Sequence, residues 1–124
     1  NYEYAGFSDN ESIISKQLEW LKRLDYSGGY NIAVAHSPVI LNDKKAASEA
    51  ENILTGSGHS LLVCGHTHIC ELKASDETGI IRYIAGGFRS GRFVYSKISL
   101  RGNECTITAW YENGEQVLNA GLKI

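Results

Sequence analysis

The chain has 124 residues, enough for one hydrophobic core and too few for two ordinary domains. Its 43% hydrophobic and 21% charged residues match a folded globular protein and neither a collagenous nor a disordered one. Twelve Lys and Arg against 14 Asp and Glu leave a formal charge of −2, so no basic field holds a nucleic acid backbone non-specifically.

In chain order, Ser8 followed three residues later by Glu11 reads as a capping box. Ile13, Ile14, Leu18, Leu21 and Leu24 then recur at helical spacing up to Gly28 and Gly29. The apolar run Asn31 to Ala35 predicts a short strand ending at His36, because Pro38 stops it from continuing as a central strand. A second helix is predicted from a cap at Asn42 or Asp43, with Ala46, Ala47, Ala50, Ile53 and Leu54 as its inner stripe and Gly56 as its stop. The strand Leu61 to Cys64 comes next. Neither of the longest apolar runs, Ile32 to Ala35 and Leu61 to Cys64, approaches the about 20 residues that span a bilayer, so no membrane partner is expected.

A continuous apolar run after a helix, twice, is the pattern of strands buried on both faces of a parallel sheet. From Ile69 onward the pattern alternates, with strands predicted at Ile69 to Ala74, Ile80 to Ala85, Phe93 to Leu100, Cys105 to Tyr111 and Gln116 to Ile124. Turns at Ser75 to Gly79, Arg101 to Asn103 and Asn113-Gly114 separate them, and the Asn-Gly pair predicts a type I′ hairpin. The expected fold class is α/β, short parallel strands with two helices followed by an antiparallel meander, in one domain over 1–124.

The chemistry concentrates in Gly65-His66-Thr67-His68, directly after a buried strand. Two histidines at i and i+2 of an extended chain project to one side, and the preceding glycine permits an unusual backbone angle. His36 ends another predicted parallel strand, and open α/β sheets hold ligands at the carboxyl ends of their strands. His36, His66 and His68 are therefore candidate metal ligands, and neutral imidazoles suit Zn, Fe, Mn, Ni or Co rather than calcium. His59 lies in a polar turn at the opposite strand end and reads as a surface histidine. Cys64 and Cys70 are a competing source of thiolates for a structural zinc, although a spacing of six is not that of a zinc finger. An odd count of three cysteines argues against a disulfide framework and for a reducing, cytoplasmic setting. The loop Gly86 to Arg92 offers amides and two guanidinium groups to a phosphate, or is simply a glycine-rich loop. Trp20 and the tyrosines read as core and sheet packing.

The segments Gln17 to Leu21, His36-Ser37-Pro38 and Val63-Cys64-Gly65-His66-Thr67-His68 resemble the C-terminal half of a calcineurin-like metallophosphoesterase. The resemblance covers about Ser8 to His68. It implies a half of a layered α/β/β/α sandwich in which His36 and His66 hold one divalent transition-metal ion and His68 holds its neighbour. It also implies hydrolysis of a phosphate monoester or diester through a hydroxide bridging the two ions.

The sequence departs from the family pattern in lacking Asp-x-His, Gly-Asp and Gly-Asn-His, which supply the remaining ligands and the bridging carboxylate. Gly102-Asn103-Glu104 lacks the histidine and reads as a hairpin turn. With no methionine and a first residue Asn1, the chain is expected to be a piece whose partner is the missing N-terminal half of the same fold, and inactive without it. No residue stands out as the general acid. The alternative expectation is a non-catalytic binding or scaffold module with one structural ion or none.

Overall fold

The structure is a computed structural model and describes residues 11–26, 30–37, 44–87 and 93–124. Its elements are helix α1 (Glu11–Lys22), strand β1 (Ile32–Val34), helix α2 (Lys44–Gly56), and strands β2 (Leu61–Cys64), β3 (Cys70–Ala74), β4 (Ile81–Ala85), β5 (Val94–Arg101), β6 (Glu104–Tyr111) and β7 (Gln116–Lys123). Ser8, Gly28, Gly29, Pro38, the Asn42 or Asp43 cap and the stretch Phe88 to Arg92 lie outside the described residues. None of the helices is long and apolar enough to cross a membrane among the described residues.

Two sheets form. The first has four strands in the order β1-β2-β4-β3, and the second has three in the order β5-β6-β7. Strands β1, β2 and β4 are mutually parallel, while β3 runs antiparallel to β4. This corrects the expectation of one meander from Ile69 onward: the hairpin β3-β4 belongs to the first sheet, and only β5-β6-β7 form the meander. The reason is burial on two faces. Tyr83 points into the space between the sheets while neighbouring Ile80 packs on the helix side, so β4 occupies an inner position beside β2.

The helices cover one face of the first sheet. Ile14 and Leu18 of α1, one turn apart, pack on Ala46, Ala50 and Ile53 of α2, and the small alanines let the helices approach closely. Leu54, Leu62 and Ile80 join them to the sheet, with Leu21 and Ala33 at the margin. The other face packs on the second sheet through Leu61, Tyr83, Cys105 and Ile107, all fully buried. One core thus spans both sheets.

Helix ends differ from expectation in instructive ways. Helix α1 stops at Lys22 rather than continuing through Leu24, closed by short-range bonds from the Arg23 and Leu24 amides to the Trp20 and Leu21 carbonyls at 3.0 and 3.4 Å. The Tyr26 hydroxyl also donates to the Leu21 carbonyl at 2.7 Å. In α2, Gly56 remains helical, and Gly58, at φ 82°, makes the stop. The His59 amide reaches the Leu54 carbonyl at 2.9 Å and the Gly58 amide the Thr55 carbonyl at 3.0 Å, the pair of bonds that defines a Schellman cap.

The hairpin turns divide similarly. Gly102, alone of the two residues between paired Arg101 and Glu104, has positive φ, as a type II′ turn requires. At Asn113-Gly114 the expected type I′ turn is absent, because only Gly114 has positive φ. The Gly114 amide bonds the Tyr111 carbonyl and the Tyr111 amide the Glu115 carbonyl, both at 2.9 Å. This is a three-residue loop with its glycine in the bulge, held by the Asn113 side-chain oxygen accepting from the Glu115 amide at 2.9 Å.

Candidate functional site

The parallel strands end together, and the segments just past their carboxyl ends form the candidate site. One step beyond the β1-β2 ladder, the Ala35 amide donates to the Val63 carbonyl and the Gly65 amide to the His36 carbonyl, both at 2.9 Å. These bonds fix the segments carrying His36 and His66 side by side. The His36 Nε2 and His66 Nδ1 atoms stand 3.2 Å apart, with the rings edge to face at 5.2 Å between centroids.

That separation has a chemical meaning. Two nitrogens bound to one ion at about 2.0–2.1 Å with a tetrahedral angle lie about 3.3–3.4 Å apart. The same separation suits an N–H···N hydrogen bond between two neutral imidazoles. Both arrangements require a separation close to the one seen here.

His68 is placed differently. The chain from Gly65 to His68 is not extended, as the same-side argument assumed. His66 and His68 have φ of 69° and 61°, and the Thr67 amide folds back onto the Gly65 carbonyl at 2.8 Å. The unusual angles fall on the histidines and not on Gly65, which does not take positive φ. Left-handed backbone is uncommon outside glycine, though histidine tolerates it better than most, and it costs about 1–2 kcal/mol per residue. His68 lies against Gly87, just beyond the carboxyl end of β4. Among the described residues no three His, Cys, Asp or Glu side chains converge on one point, so His68 stands apart from the His36–His66 pair.

His59 is a correction. It is buried at the amino end of β2 rather than at the surface, with its Nδ1 3.2 Å from the Leu54 carbonyl and its ring edge-on to Tyr26 at 4.8 Å. It closes α2 and is remote from the site. The thiolate alternative also fails on placement. Cys70 packs in the space between the sheets, while Cys64 is buried in β2 at the position after Val63, on the opposite face. Burial pushes the Cys64 thiol up to about 11, away from the thiolate a zinc needs.

Sequence reasoning missed two features of the site. One is the room that Gly87 leaves for His68, hidden because Gly86-Gly87 reads equally well as a plain loop. The other is the left-handed pair of histidines, which an extended reading of Gly65 to His68 conceals. Trp20, read as packing, is 60% exposed.

No protein-family model and no curated protein matches this chain. Solved structures match it at the level of fold. Vacuolar protein sorting 29 from Cryptosporidium parvum is 18% identical, with a TM-score of 0.54 over 78% of this chain and 54% of that one. A single mutant of Vps29 from Entamoeba histolytica is 18% identical, with a TM-score of 0.48 over 78% of this chain and 57% of that one. The chain thus spans little more than half the length of either. The fold, a parallel sheet covered by two helices and followed by an antiparallel meander, is like that of vacuolar protein sorting 29 from Cryptosporidium parvum.

Proposed function

We propose that this chain is the histidine-bearing C-terminal part of a calcineurin-like metallophosphoesterase domain that hydrolyses phosphate monoesters or diesters. The observation that carries the reading is the 3.2 Å approach of His36 Nε2 to His66 Nδ1 at the carboxyl edge of a parallel sheet. In this reading His36 and His66 hold one divalent transition-metal ion (Mn, Fe, Zn, Ni or Co), and His68 is a ligand of a second. When bound, such ions acidify water and polarise a phosphoryl oxygen. The chain's own part is to hold neutral imidazoles on a rigid sheet edge, through the 2.9 Å amide-carbonyl bonds that tie the two segments.

Neutral imidazoles bring no negative charge, and two adjacent cations need a carboxylate between them. The reading therefore assigns the bridging carboxylate to a further half of the same fold, seated beside β1. Support comes from β1 itself, an edge strand among the described residues. Val34 is 78% exposed although Ile32, on the same face, packs into the core. On the opposite, helix-covered face an apolar groove of about 210 Å³, lined by Leu18, Trp20, Leu21, Ala33 and Val34 among others, opens at the same β1 edge.

A second reading, a non-catalytic binding or scaffold module, is favoured by a separate observation. The solved structure from Cryptosporidium parvum that shares the fold carries a sorting name. Aryl phosphate turnover by the completed domain, together with calorimetric titration of the chain with Zn²⁺ or Mn²⁺, separates the two, because a scaffold module also accommodates one structural ion. The phosphoesterase reading expects one ion to bind and His66→Ala to weaken it by about 100-fold or more, beyond what losing an outer-shell partner costs. It also expects aryl phosphate turnover with Mn²⁺ only when a carboxylate-bearing half completes the domain. Absence of ion uptake by the wild-type chain supports the scaffold module instead.

A further inference from the structure

Two glycines come directly after β4, and they are glycines for different reasons. Gly86 has φ 72°, and a Cβ there would lie 3.1 Å from the Val94 Cβ, so the backbone itself demands glycine. Gly87 does not take positive φ. Its constraint is one side chain: a Cβ at Gly87 would lie 2.9 Å from His68 Nδ1, 3.6 Å from its Cγ and 3.7 Å from its Cε1. Gly65 makes a useful contrast, since a Cβ there would sit an ordinary 3.5 Å from the His36 carbonyl oxygen.

We infer that Gly87 is a positioning residue for His68: the absent side chain is the slot in which the imidazole lies, and it fixes Nε2 as the nitrogen presented to a ligand. The three distances set the orientation. They place the Nδ1 edge of the ring toward Gly87 and leave Nε2 on the far side. The backbone of His68 is already committed, at φ 61°, to a conformation with few alternatives. Its ring retains rotation about two bonds, and the slot restricts that freedom. A methyl group at residue 87 displaces the ring instead of the sheet, because the clashing atom belongs to an exposed side chain and β4 has already ended at Ala85. The ligand role of Nε2 rests on the metallophosphoesterase reading, whereas the slot does not.

The test uses Gly87→Ala and His68→Ala in the whole chain. Long-range ¹H–¹⁵N spectra of the imidazoles without metal are expected to show the His68 ring signals moved in Gly87→Ala and those of His36 and His66 in place. In the wild type, cross-relaxation between the His68 ring and the Gly87 α protons is expected. His68→Ala, which has no ring at residue 68, assigns the signals that belong to His68. Unmoved His68 signals in metal-free Gly87→Ala overturn the inference, as does the absence of that cross-relaxation in the wild type. Moved signals in a chain that takes up no Zn²⁺ uphold the slot and sink the phosphoesterase reading.

Discussion

Strand β4 carries a polar cluster beyond each end, and the two are built on opposite terms. Near its amino end Glu51 of α2, 1% exposed, accepts from Arg82 Nε at 2.6 Å, Ser75 Oγ at 2.8 Å and Thr78 Oγ1 at 3.0 Å. Arg82 also reaches Ser75 Oγ at 3.3 Å. Burial pushes the Glu51 carboxyl up, but these hydrogen bonds and the Arg82 charge outweigh it and hold the group below its ordinary range. Near the carboxyl end, His36 and His68 are exposed, His66 is half-buried, and two of the three backbones are left-handed. A buried charge surrounded by its own donors holds α2 to the β3-β4 turn and has no capacity left for a ligand. A strained, accessible set of ring nitrogens does the reverse, and backbone strain of this kind concentrates at functional sites. Of the two clusters, only the histidine edge lies open to solvent.

The largest expected effect comes from breaking the saturated cluster. Glu51→Ala leaves the Arg82 guanidinium and two hydroxyls without their acceptor, and is expected to cost about 3 kcal/mol in chemical denaturation. That is the lower end for a buried pair, because the Arg82 side chain keeps 32% of its surface exposed. His36→Ala is expected to change stability by less than about 0.5 kcal/mol, as at an ordinary surface position. Equal losses in the two variants would erase the contrast between the ends. The pH dependence sharpens it. Glu51 titrates lower in the folded chain than its ordinary 4.5, so its contribution is complete above the unfolded value and is lost as pH falls through the folded one. Urea midpoints measured from pH 6 down to pH 3 are expected to fall less steeply in Glu51→Gln than in the wild type.

A smaller effect tests the core between the ends. The Tyr83 hydroxyl bonds Ser96 Oγ and approaches Cys70 Sγ, and burial pushes the phenol up to about 12. Tyr83→Phe is expected to cost about 1 kcal/mol with the tertiary packing intact, since Ser96 can turn to water. A change in that packing by near-ultraviolet dichroism would show instead that the hydroxyl orders the two sheets.

Local pattern made some of this legible and non-local pairing hid the rest. Ile14, Leu18 and Leu21 announced the face of α1 by spacing, and the unbroken run Leu61 to Cys64 announced a strand buried on both sides. The place of β4 was missed because a hairpin with β3 reads like any other. Only its partner β2, some 20 residues earlier, makes it an inner strand of a mixed sheet. Glu51 gave no signal at all, sitting beside Ala50 in a helix whose cation, Arg82, is 31 residues away. At the site, His36 and His66 were legible as strand ends, since strand direction places them. The turn geometry that separates His68 from that pair was not, because the left-handed angles fall on histidines instead of on the glycine that permits them.

The smallest effect has the opposite sign to the first. His68 is exposed and lies against Gly87, so its removal forfeits little packing, while its φ of 61° is one that glycine adopts without steric cost. His68→Gly relieves the left-handed strain and loses some stability through the greater freedom of the unfolded chain. The balance is expected to favour the variant by about 0.5 kcal/mol in chemical denaturation. His68→Ala keeps a Cβ in the left-handed region and is expected to gain nothing. A stabilised glycine variant beside an unchanged alanine variant places the strain in the backbone at His68. Both variants destabilised would mean that the imidazole supports the fold, and the carboxyl end of β4 would then resemble the Glu51 cluster in being held for stability.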